Sequence, residues 1–452
     1  MAPIFVKRYY VGGGTELYGF RIDQRQEEVK IQYIEDNRNY RPAGIDGTTG
    51  TFDYGDWGKA FFMKIRPCML NCDGTVAYYL NPNDYSLRED GSASDIADTA
   101  YAGNVMVEFP KSYYKIVDNG DDTANVYVCN QKLDDGFRCW SFIDCNGEEI
   151  EYCYMSVYPA QFKSFGEYLY RICSFSGNRQ YNTDSLFNDI NYARNNGKNC
   201  NCEDDWCVAV YCDIVLLQIY SLLIGKSVNS QETFGYGLTY PGKNELQYGV
   251  SGTLNAAGLF YGFNLENSKA VNAGSSKFFG MENYIGPYSM KLAGLCVYNG
   301  DFKVKMTHGT SDGSAMDGYL DVNNQYSASY RDNYIQTGIN SLPAKTDKAI
   351  RKMNFSEYGF LYKEGVSYSS NYASTGPEFE KGFCDQIKSG SYDYGLPYVI
   401  GRGQEGNNGL LYRKLPGLFY MNIIPKTPDS YNSGSYIYQT RLSCKPRINK
   451  GS

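Results

Sequence analysis

The chain of 452 residues contains 45 tyrosines and 48 glycines, is 16% aromatic and carries a net charge of −7. This acidic balance argues against a protein that binds nucleic acid through a basic surface. The aromatic content excludes a disordered chain and favours a β-rich protein that presents a tyrosine-rich surface.

The first hundred residues show the pattern of short strands separated by turns. Residues 18–22 and 29–34 alternate apolar and polar side chains, as strands with one buried face do. Turn-forming pairs punctuate the segment at Asp46-Gly47, Asp73-Gly74 and Asp90-Gly91. The N-terminal residues show no basic stretch followed by an apolar stretch, so no signal peptide is expected.

Strands are also predicted directly after residue 100. Residues 104–108 and 113–117 are rich in β-branched and aromatic side chains. An Asp-Asn-Gly-Asp-Asp turn over 118–122 leads into a similar run over 124–128. This arrangement predicts a β-hairpin.

Helical signals are concentrated between residues 184 and 224. Asp184 and Ser185 are suitable N-cap residues for a helix over 186–196, and Gly197 follows its end. This is the first predicted helix.

A second helix is predicted over residues 206–224 and ends at Gly225. The segment is almost entirely apolar and long enough to span a bilayer, but it contains Asp213 and Gln218. A carboxylate at the centre of a span costs about 2.5–3.5 kcal/mol on insertion. We therefore expect a helix buried in a soluble core and no membrane insertion.

The remainder, from residue 230 to 452, is rich in glycine, asparagine and tyrosine and has little helical periodicity. We expect short strands separated by long loops, and loops of such length usually have a function or special packing.

Fourteen cysteines are spread over the chain, none in a CxxC pair, which predicts reduced and mostly buried thiols. The densest group consists of Cys200, Cys202, Cys207 and Cys212. Four thiolates can hold zinc, but this spacing lacks the two tight pairs of a zinc site. Buried thiols near the start of a helix are expected instead.

The sequence gives little evidence for a catalytic or metal-binding site. The single histidine, His308, has no readable nucleophile motif around it, and one histidine excludes metal sites that need two. Acidic loops at 90–98, 118–122 and 311–321 are explained by turn chemistry without calcium. Six acidic residues could serve a glycan depolymerase, but the sequence pairs none of them: Asp144, Glu148, Glu149, Asp204, Asp205 and Asp213. We expect no metal and no cofactor.

The stretch 392–441 is the strongest candidate for recognition. It is dominated by Tyr, Asn, Ser, Gly and Arg, the residue types of adaptable binding surfaces. An ordinary glycine-rich β-surface is the alternative interpretation.

Several short strings occur in order along the chain. They are Ile-Arg-Pro-Cys-Met-Leu at 65–70, Tyr-Leu-Asn-Pro-Asn-Asp-Tyr at 79–85, Gly-Asn-Val-Met-Val-Glu-Phe-Pro-Lys at 103–111, the helix 216–223 with Asn-Ser-Gln at 229–231 and Gly-Tyr-Gly at 235–237, Phe-Phe-Gly-Met-Glu-Asn at 278–283 with Gly286, Gly-Leu-Phe at 417–419, and Tyr-Gln-Thr-Arg-Leu at 438–442. Taken together, these strings resemble a family of virion proteins of tailed phages of gut bacteria, crAss-like ones among them, that carry a C-type-lectin-like domain. The resemblance covers about residues 65–445.

The resemblance implies an α+β fold. A β-rich region over 1–100 would serve docking or oligomerisation. A C-type-lectin-like domain over 101–452 would contain a twisted antiparallel sheet, two helices, long loops and an insertion at about 300–390. The receptor-binding positions that it implies are Tyr392, Tyr394, Tyr398, Arg402, Asn407, Asn408, Tyr412, Tyr431 and Tyr436.

The resemblance also implies a function. The chain would be a non-enzymatic head or tail fibre or appendage protein of a virion, made in the host cytoplasm. Its partners would be further copies of itself in a trimer, capsid or tail proteins, and a glycan or protein of the host surface. The alternatives are a purely structural decoration protein and a glycan depolymerase. The sugar-binding triplets of calcium-dependent lectins are absent, so calcium-dependent sugar binding does not transfer.

Overall fold

The computed structural model describes residues 14–46, 49–164, 169–178, 186–235, 250–262, 275–285, 289–298, 300–307, 334–340, 346–367, 386–389, 397–401, 418–419, 421–423 and 438–447. These residues contain 26 β-strands and three α-helices. The expected β-rich α+β class is thereby confirmed.

The first fourteen strands are β1 Leu17–Asp23, β2 Lys30–Glu35, β3 Gly44–Ile45, β4 Phe52–Asp53, β5 Arg66–Leu70, β6 Val76–Asn81, β7 Asp84–Arg88, β8 Asn104–Pro110, β9 Tyr113–Asp118, β10 Thr123–Cys129, β11 Tyr152–Ser156, β12 Gln161–Ser164, β13 Tyr170–Cys173 and β14 Trp206–Val208. The remaining strands are β15 Lys277–Phe278, β16 Met281–Glu282, β17 Ser289–Tyr298, β18 Asp301–Val304, β19 Ile335–Asn340, β20 Thr346–Ser356, β21 Gly359–Val366, β22 Gln386–Ser389, β23 Pro397–Gly401, β24 Met421–Ile423, β25 Tyr438–Gln439 and β26 Leu442–Cys444. The helices are α1 Leu186–Arg194, α2 Tyr211–Gly225 and α3 Ser230–Phe234, with 3₁₀ turns at Phe61–Met63, Trp140–Phe142, Lys198–Cys200 and Glu203–Asp205.

The first sheet has four antiparallel strands in the order β2-β1-β10-β9. Phe20 faces Val126 across the β1–β10 pair, and both side chains are fully buried. The predicted hairpin is confirmed as β9 and β10, and the two predicted N-terminal strands as β1 and β2. Alternating side chains and a short turn were sufficient to identify these elements.

The second sheet has seven strands in the order β14-β26-β11-β8-β5-β6-β7. Its centre combines β5, from the first hundred residues, with β8, β11 and the late strand β26. The first sheet likewise pairs β1 with β10. Both sheets thus combine strands from before and after residue 100, and the expected domain division there stays a prediction.

The third sheet is formed by the later part of the chain, in the order β19-β18-β17-β23-β24-β22-β20-β21, with β25 paired in parallel to β17. The stretch 300–390, expected as an insertion, contributes β18 to β22. In the structure these five strands pair within the third sheet, and the insertion itself stays a prediction.

The second predicted helix begins later than expected. Residues 206–208 form β14, in which Trp206 and Val208 pair with Cys444 and Leu442 of β26, and the helix runs only from Tyr211. Every residue of α2 up to Ile224 is buried, which confirms a helix enclosed by the core. Among the described residues, no helix is long and apolar enough to cross a membrane.

The first predicted helix is confirmed as α1, which ends at Arg194, two residues before the expected end. Its proposed capping residues, Asp184 and Ser185, lie outside the described residues.

Aromatic side chains fill the core between the first sheet and α2. The rings of Tyr18, Tyr33 and Phe62 surround Trp57 at centroid distances of 5.4, 5.6 and 5.9 Å. Phe62 in turn stacks on Tyr220 of α2 at 4.7 Å. Such ring pairs add specific geometry to the large area that each ring buries.

Candidate binding surface

Most of the predicted receptor-binding residues lie outside the described part of the chain. These residues are Tyr392, Tyr394, Arg402, Asn407, Asn408, Tyr412, Tyr431 and Tyr436. The single histidine, His308, also lies outside the described residues. Tyr398 lies on β23, of which the structure describes the backbone. The nine binding residues therefore stay a prediction.

The end of the predicted recognition stretch is in the interior of the protein. Gln439, Thr440, Arg441, Leu442 and Ser443 are each at most 2% exposed. The expectation that the stretch forms a surface up to its end is wrong for Gln439, Thr440 and Arg441. Gln439 lies on β25, which pairs with β17 of the third sheet, and β26, an inner strand of the second sheet, begins directly after Arg441. The segment between the two strands is therefore enclosed.

Arg441 is the largest polar group in this buried segment. Its guanidinium donates hydrogen bonds to the carbonyl oxygens of Ser156 and Val157, at 3.1 and 3.3 Å, and to that of Glu282. Burial lowers the pKa of Arg441 to about 10. A guanidinium suits this position because its planar fork can serve several carbonyls at once. Arg441 therefore ties the C-terminal segment to the ends of β11 and β16.

Glu282 holds a second buried polar cluster together. Its carboxylate accepts the backbone N–H of Gly252 at 3.0 Å and that of Leu254 at 3.3 Å. Lys277 lies nearby and donates from Nζ to the carbonyl oxygen of Leu254 at 2.9 Å. Burial raises the pKa of Glu282 and lowers the pKa of Lys277 to about 7. These contacts fix the segment 250–257 against the core.

A third polar cluster joins four neighbouring strands of the second sheet. The Tyr79 hydroxyl donates to both carboxylate oxygens of Glu108 at 3.1 Å, and the Tyr154 hydroxyl donates to Oε2 at 2.9 Å. The Arg66 guanidinium lies 3.1 Å from the centroid of the Tyr79 ring. Burial raises the pKa of Glu108, against the effect of the two hydroxyl donors and Arg66. The hydrogen bonds to Glu108 connect β6, β8 and β11, and the contact of Arg66 with the Tyr79 ring adds β5.

The strand directions show where the predicted binding segments attach. β22 and β24 are parallel, and β23 is antiparallel to β24. Ser389 and Ile423 therefore lie at one end of this part of the third sheet, and Gly401 lies at the other. Tyr392 follows Ser389 by three residues, whereas Arg402 directly follows Gly401. The predicted residues are thus attached to both ends of the sheet.

An exposed aromatic cluster, which sequence reasoning missed, lies on the β12–β13 ribbon. Phe162 and Tyr170 are 39% and 41% exposed, and their rings stack at 5.0 Å. Tyr192 of α1 contacts both rings, at 5.3 and 6.1 Å. Ile172, paired with Phe162, is fully buried on the same face. We call Phe162, Tyr170 and Tyr192 the ribbon cluster.

The ribbon cluster had a weak sequence signal. Phe162, Tyr170 and Ile172 share one face only in the register that the ribbon adopts. Alternation in the two short strands could have suggested that face, but not that its outer end stays accessible. Large contiguous apolar patches on a protein surface often mark contact sites, so the ribbon cluster is a candidate for one.

The acidic residues considered for catalysis are engaged in structural contacts. Asp213 pairs with Lys445 at 2.8 Å, Asp205 with Arg447 at 2.7 Å, and Asp204 with Arg194 at 2.8 Å. Burial raises the pKa of Asp205 to about 6, although Arg447 opposes the shift.

Asp144 and Glu149 have partners as well. The Asp144 carboxylate accepts the backbone N–H of Asn146 and of Glu148, each at 2.9 Å, and Glu149 accepts a hydrogen bond from the Tyr113 hydroxyl. In the described part of the chain, no group of three or more His, Cys, Asp or Glu side chains is placed to hold a metal ion.

The cysteine prediction requires one correction. Cys72 and Cys200 form a disulfide, so the expectation of reduced thiols fails for this pair. Sequence spacing could not show it, because 128 residues separate the two positions. Cys207 and Cys212, from the same predicted group, are buried free thiols as expected, and Cys202 is a partly exposed free thiol.

The chain matches no protein-family model, and a search of curated proteins finds no match.

Proposed function

We propose that the chain is a structural protein of a tailed-phage virion, in the head or in a tail fibre or appendage. In this proposal a C-type-lectin-like domain presents a Tyr-, Asn- and Gly-rich C-terminal face that binds the host cell surface. The observation that carries the proposal is that sequence strings on which the resemblance rests contact one another in the structure.

Two of these strings, 278–283 and 438–442, are about 160 residues apart and meet in the core. Arg441 of the second string donates a hydrogen bond to the carbonyl of Glu282 in the first. Strings that specify one shared core arrangement are more informative than isolated matches, because each restricts the packing of the other.

The strings at 65–70, 79–85 and 103–111 also meet. Arg66, Tyr79 and Glu108 each come from one of them and form the polar cluster between β5, β6 and β8. A scaffold fixed by such buried contacts suits a binding protein, because a preorganised surface loses less entropy on association.

A second candidate function is a structural decoration protein without receptor binding. The ribbon cluster favours it, because two rings that are about 40% exposed could be covered by a neighbouring subunit. The neighbour would be a second copy of the chain or another virion protein. Receptor binding thus depends on the predicted C-terminal residues, whereas decoration depends on the ribbon cluster.

Phage particles carrying Tyr398→Ala, Asn407→Ala and Tyr431→Ala together test the proposal. Binding hot spots contribute about 2 kcal/mol or more each, so adsorption to host cells should fall by at least about 30-fold. Tyr152→Ala, at a position with a 46% exposed ring outside the predicted face, is the matched control and should leave adsorption unchanged.

Three other outcomes would contradict receptor binding or support one of the alternative functions. Normal adsorption of intact triple-variant particles would remove the receptor-binding role. Failed assembly of particles with Phe162→Ser and Tyr170→Ser would support the decoration protein. Release of sugars from host capsule by the purified wild-type chain would indicate the depolymerase.

A further inference from the structure

Three segments that are distant in sequence meet beside β14. The Trp206 indole donates to the Cys72 carbonyl at 2.9 Å, which joins the turn after β5 to the start of β14. Arg447 donates to the Asn201 carbonyl at 2.7 Å, which joins the C-terminal segment to the turn before β14. A Cβ atom on Gly74 would lie 2.7 Å from the ring of Pro446, so the segments are closely packed.

The Cys72–Cys200 disulfide crosses this junction. Its Cα atoms are 6.4 Å apart, and it closes a loop of 128 residues. Both cysteines are partly exposed. The bond is therefore accessible to small thiols and disulfides in solution.

The other described cysteines differ in their surroundings. Ten are free thiols, of which nine are buried and one, Cys202, is partly exposed. Burial raises the pKa of the Cys68, Cys153 and Cys444 thiols well above the ordinary value. A thiol reacts as its thiolate and must be reached by the oxidant, so these buried groups are protected.

We propose that Cys72 and Cys200 are a selective, reversible redox site that locks the terminal strand β26 into the second sheet. The lock acts through Trp206, which the Cys72 carbonyl holds and which pairs with Cys444. Neither cysteine belongs to the predicted host-binding face, so the inference is independent of the proposed function.

The chemistry is thiol–disulfide exchange. One thiolate of the pair attacks a small-molecule disulfide such as oxidised glutathione, forming a mixed disulfide and releasing one glutathione thiolate. The second cysteine thiolate then attacks the protein sulfur of the mixed disulfide and releases the second glutathione. Two protein thiols are oxidised, one glutathione disulfide is reduced to two thiols, and the two thiol protons pass to the solvent and the released thiolates.

Peptide mapping by mass spectrometry tests the pairing. The full chain is reduced under native conditions, re-oxidised with oxidised glutathione, and alkylated before digestion. We expect a cross-linked peptide pair containing Cys72 and Cys200, with Cys202 recovered in alkylated form. Recovery of Cys72 and Cys200 as separate alkylated peptides would overturn the proposal, as would a dominant cross-link to Cys202.

Thermal unfolding tests the lock. Oxidised protein should unfold about 5 °C higher than reduced protein, because the cross-link constrains a long loop in the unfolded chain. Cys72→Ser and Cys200→Ser should each abolish this difference, whereas Cys202→Ser, the matched control, should retain it. A redox difference that persists in Cys72→Ser would refute the assignment. Should a variant fail to fold, the peptide map of the wild-type chain still shows whether Cys72 and Cys200 are paired.

Discussion

Individual tyrosines show why a high tyrosine content does not by itself predict a tyrosine-rich surface. Tyr85, Tyr114, Tyr158, Tyr211 and Tyr220 are among the largest fully buried side chains. The Tyr220 hydroxyl donates to Ser112 Oγ at 2.5 Å inside the core. A tyrosine enters a core readily where its hydroxyl finds a partner. The sequence does not show which group will bond the hydroxyl. A high tyrosine content is therefore compatible with a tyrosine-rich surface and with a tyrosine-rich core.

Lys277 should make stability depend on pH in a specific window. Its side chain is 1% exposed, and burial lowers its pKa from about 10.5 to about 7. Between these values the unfolded chain binds one more proton than the native chain, so this group makes the free energy of unfolding increase as pH rises. Lys277→Met removes this contribution. Between pH 7.5 and 9, wild type should gain about 2 kcal/mol relative to the variant.

Urea unfolding at several pH values measures this difference, and a comparison with the variant cancels the other titrating groups. Lys30→Met, at an exposed position on β2, serves as the control and should follow the wild-type curve. Parallel curves for wild type and Lys277→Met would show that the buried amine does not change its proton occupancy on unfolding.

At the scale of elements, local patterns predicted the structure where pairing is local. The β9–β10 hairpin and the strands β1 and β2 were read from alternation and turns, whereas residues 206–208, predicted as the start of a helix, form the strand β14. The apolar run that begins at Trp206 fits a helix equally well by periodicity. Its first three residues become a strand because β26, more than 230 residues later, offers a partner. Long-range pairing of this kind leaves no local signal.

The β20–β21 hairpin should depend on one glycine. Gly359 has a φ of +99°, and a Cβ atom there would lie 2.6 Å from a methyl group of Val215 on α2. Gly359→Ala combines backbone strain with overpacking and should lower the free energy of unfolding by about 2–4 kcal/mol. Gly120→Ala is the matched control. Gly120 has a φ of +75° with no atom within 4 Å of the added Cβ, so it should lose only about 1 kcal/mol. Chemical denaturation measures the free energy of unfolding of both variants. Equal losses would mean that Val215 moves away from the added methyl group without a cost in stability.

At the scale of the whole molecule, the first and third sheets are joined by specific contacts. Asp122, in the β9–β10 turn, pairs with Lys352 at 2.7 Å and with Lys363 at 2.6 Å. Arg138 pairs with Glu357 at 2.7 Å. These pairs join residues that are 219 to 241 positions apart, so no local sequence pattern predicts them. Several strings of the resemblance lie on β5, β6, β8 and β16, but none of them indicates these links.

Gln24 provides the buried link between the same two sheets. Its amide nitrogen donates to the Met353 carbonyl at 2.7 Å, and its amide oxygen accepts the Met353 N–H at 2.9 Å. The side chain is 1% exposed, so Gln24→Ala would leave a backbone donor and an acceptor without these partners. The loss should be about 2–3 kcal/mol, since each unpaired buried group costs about 1–3 kcal/mol. Gln32→Ala, at an exposed position on the neighbouring strand, should change stability by less than about 0.5 kcal/mol.

Two spectroscopic probes can show whether this link also couples the sheets. The three tryptophans, Trp57, Trp140 and Trp206, all precede the third sheet in sequence, so their fluorescence reports on the first part of the chain. Far-UV circular dichroism reports on the strands of all sheets. The two unfolding curves should coincide in wild type and separate in Gln24→Ala, because weakening a shared contact lets one sheet unfold before the other. Coincident curves in the variant, together with the expected loss of stability, would mean that the ion pairs of Asp122 and Glu357 suffice to keep the two sheets cooperative.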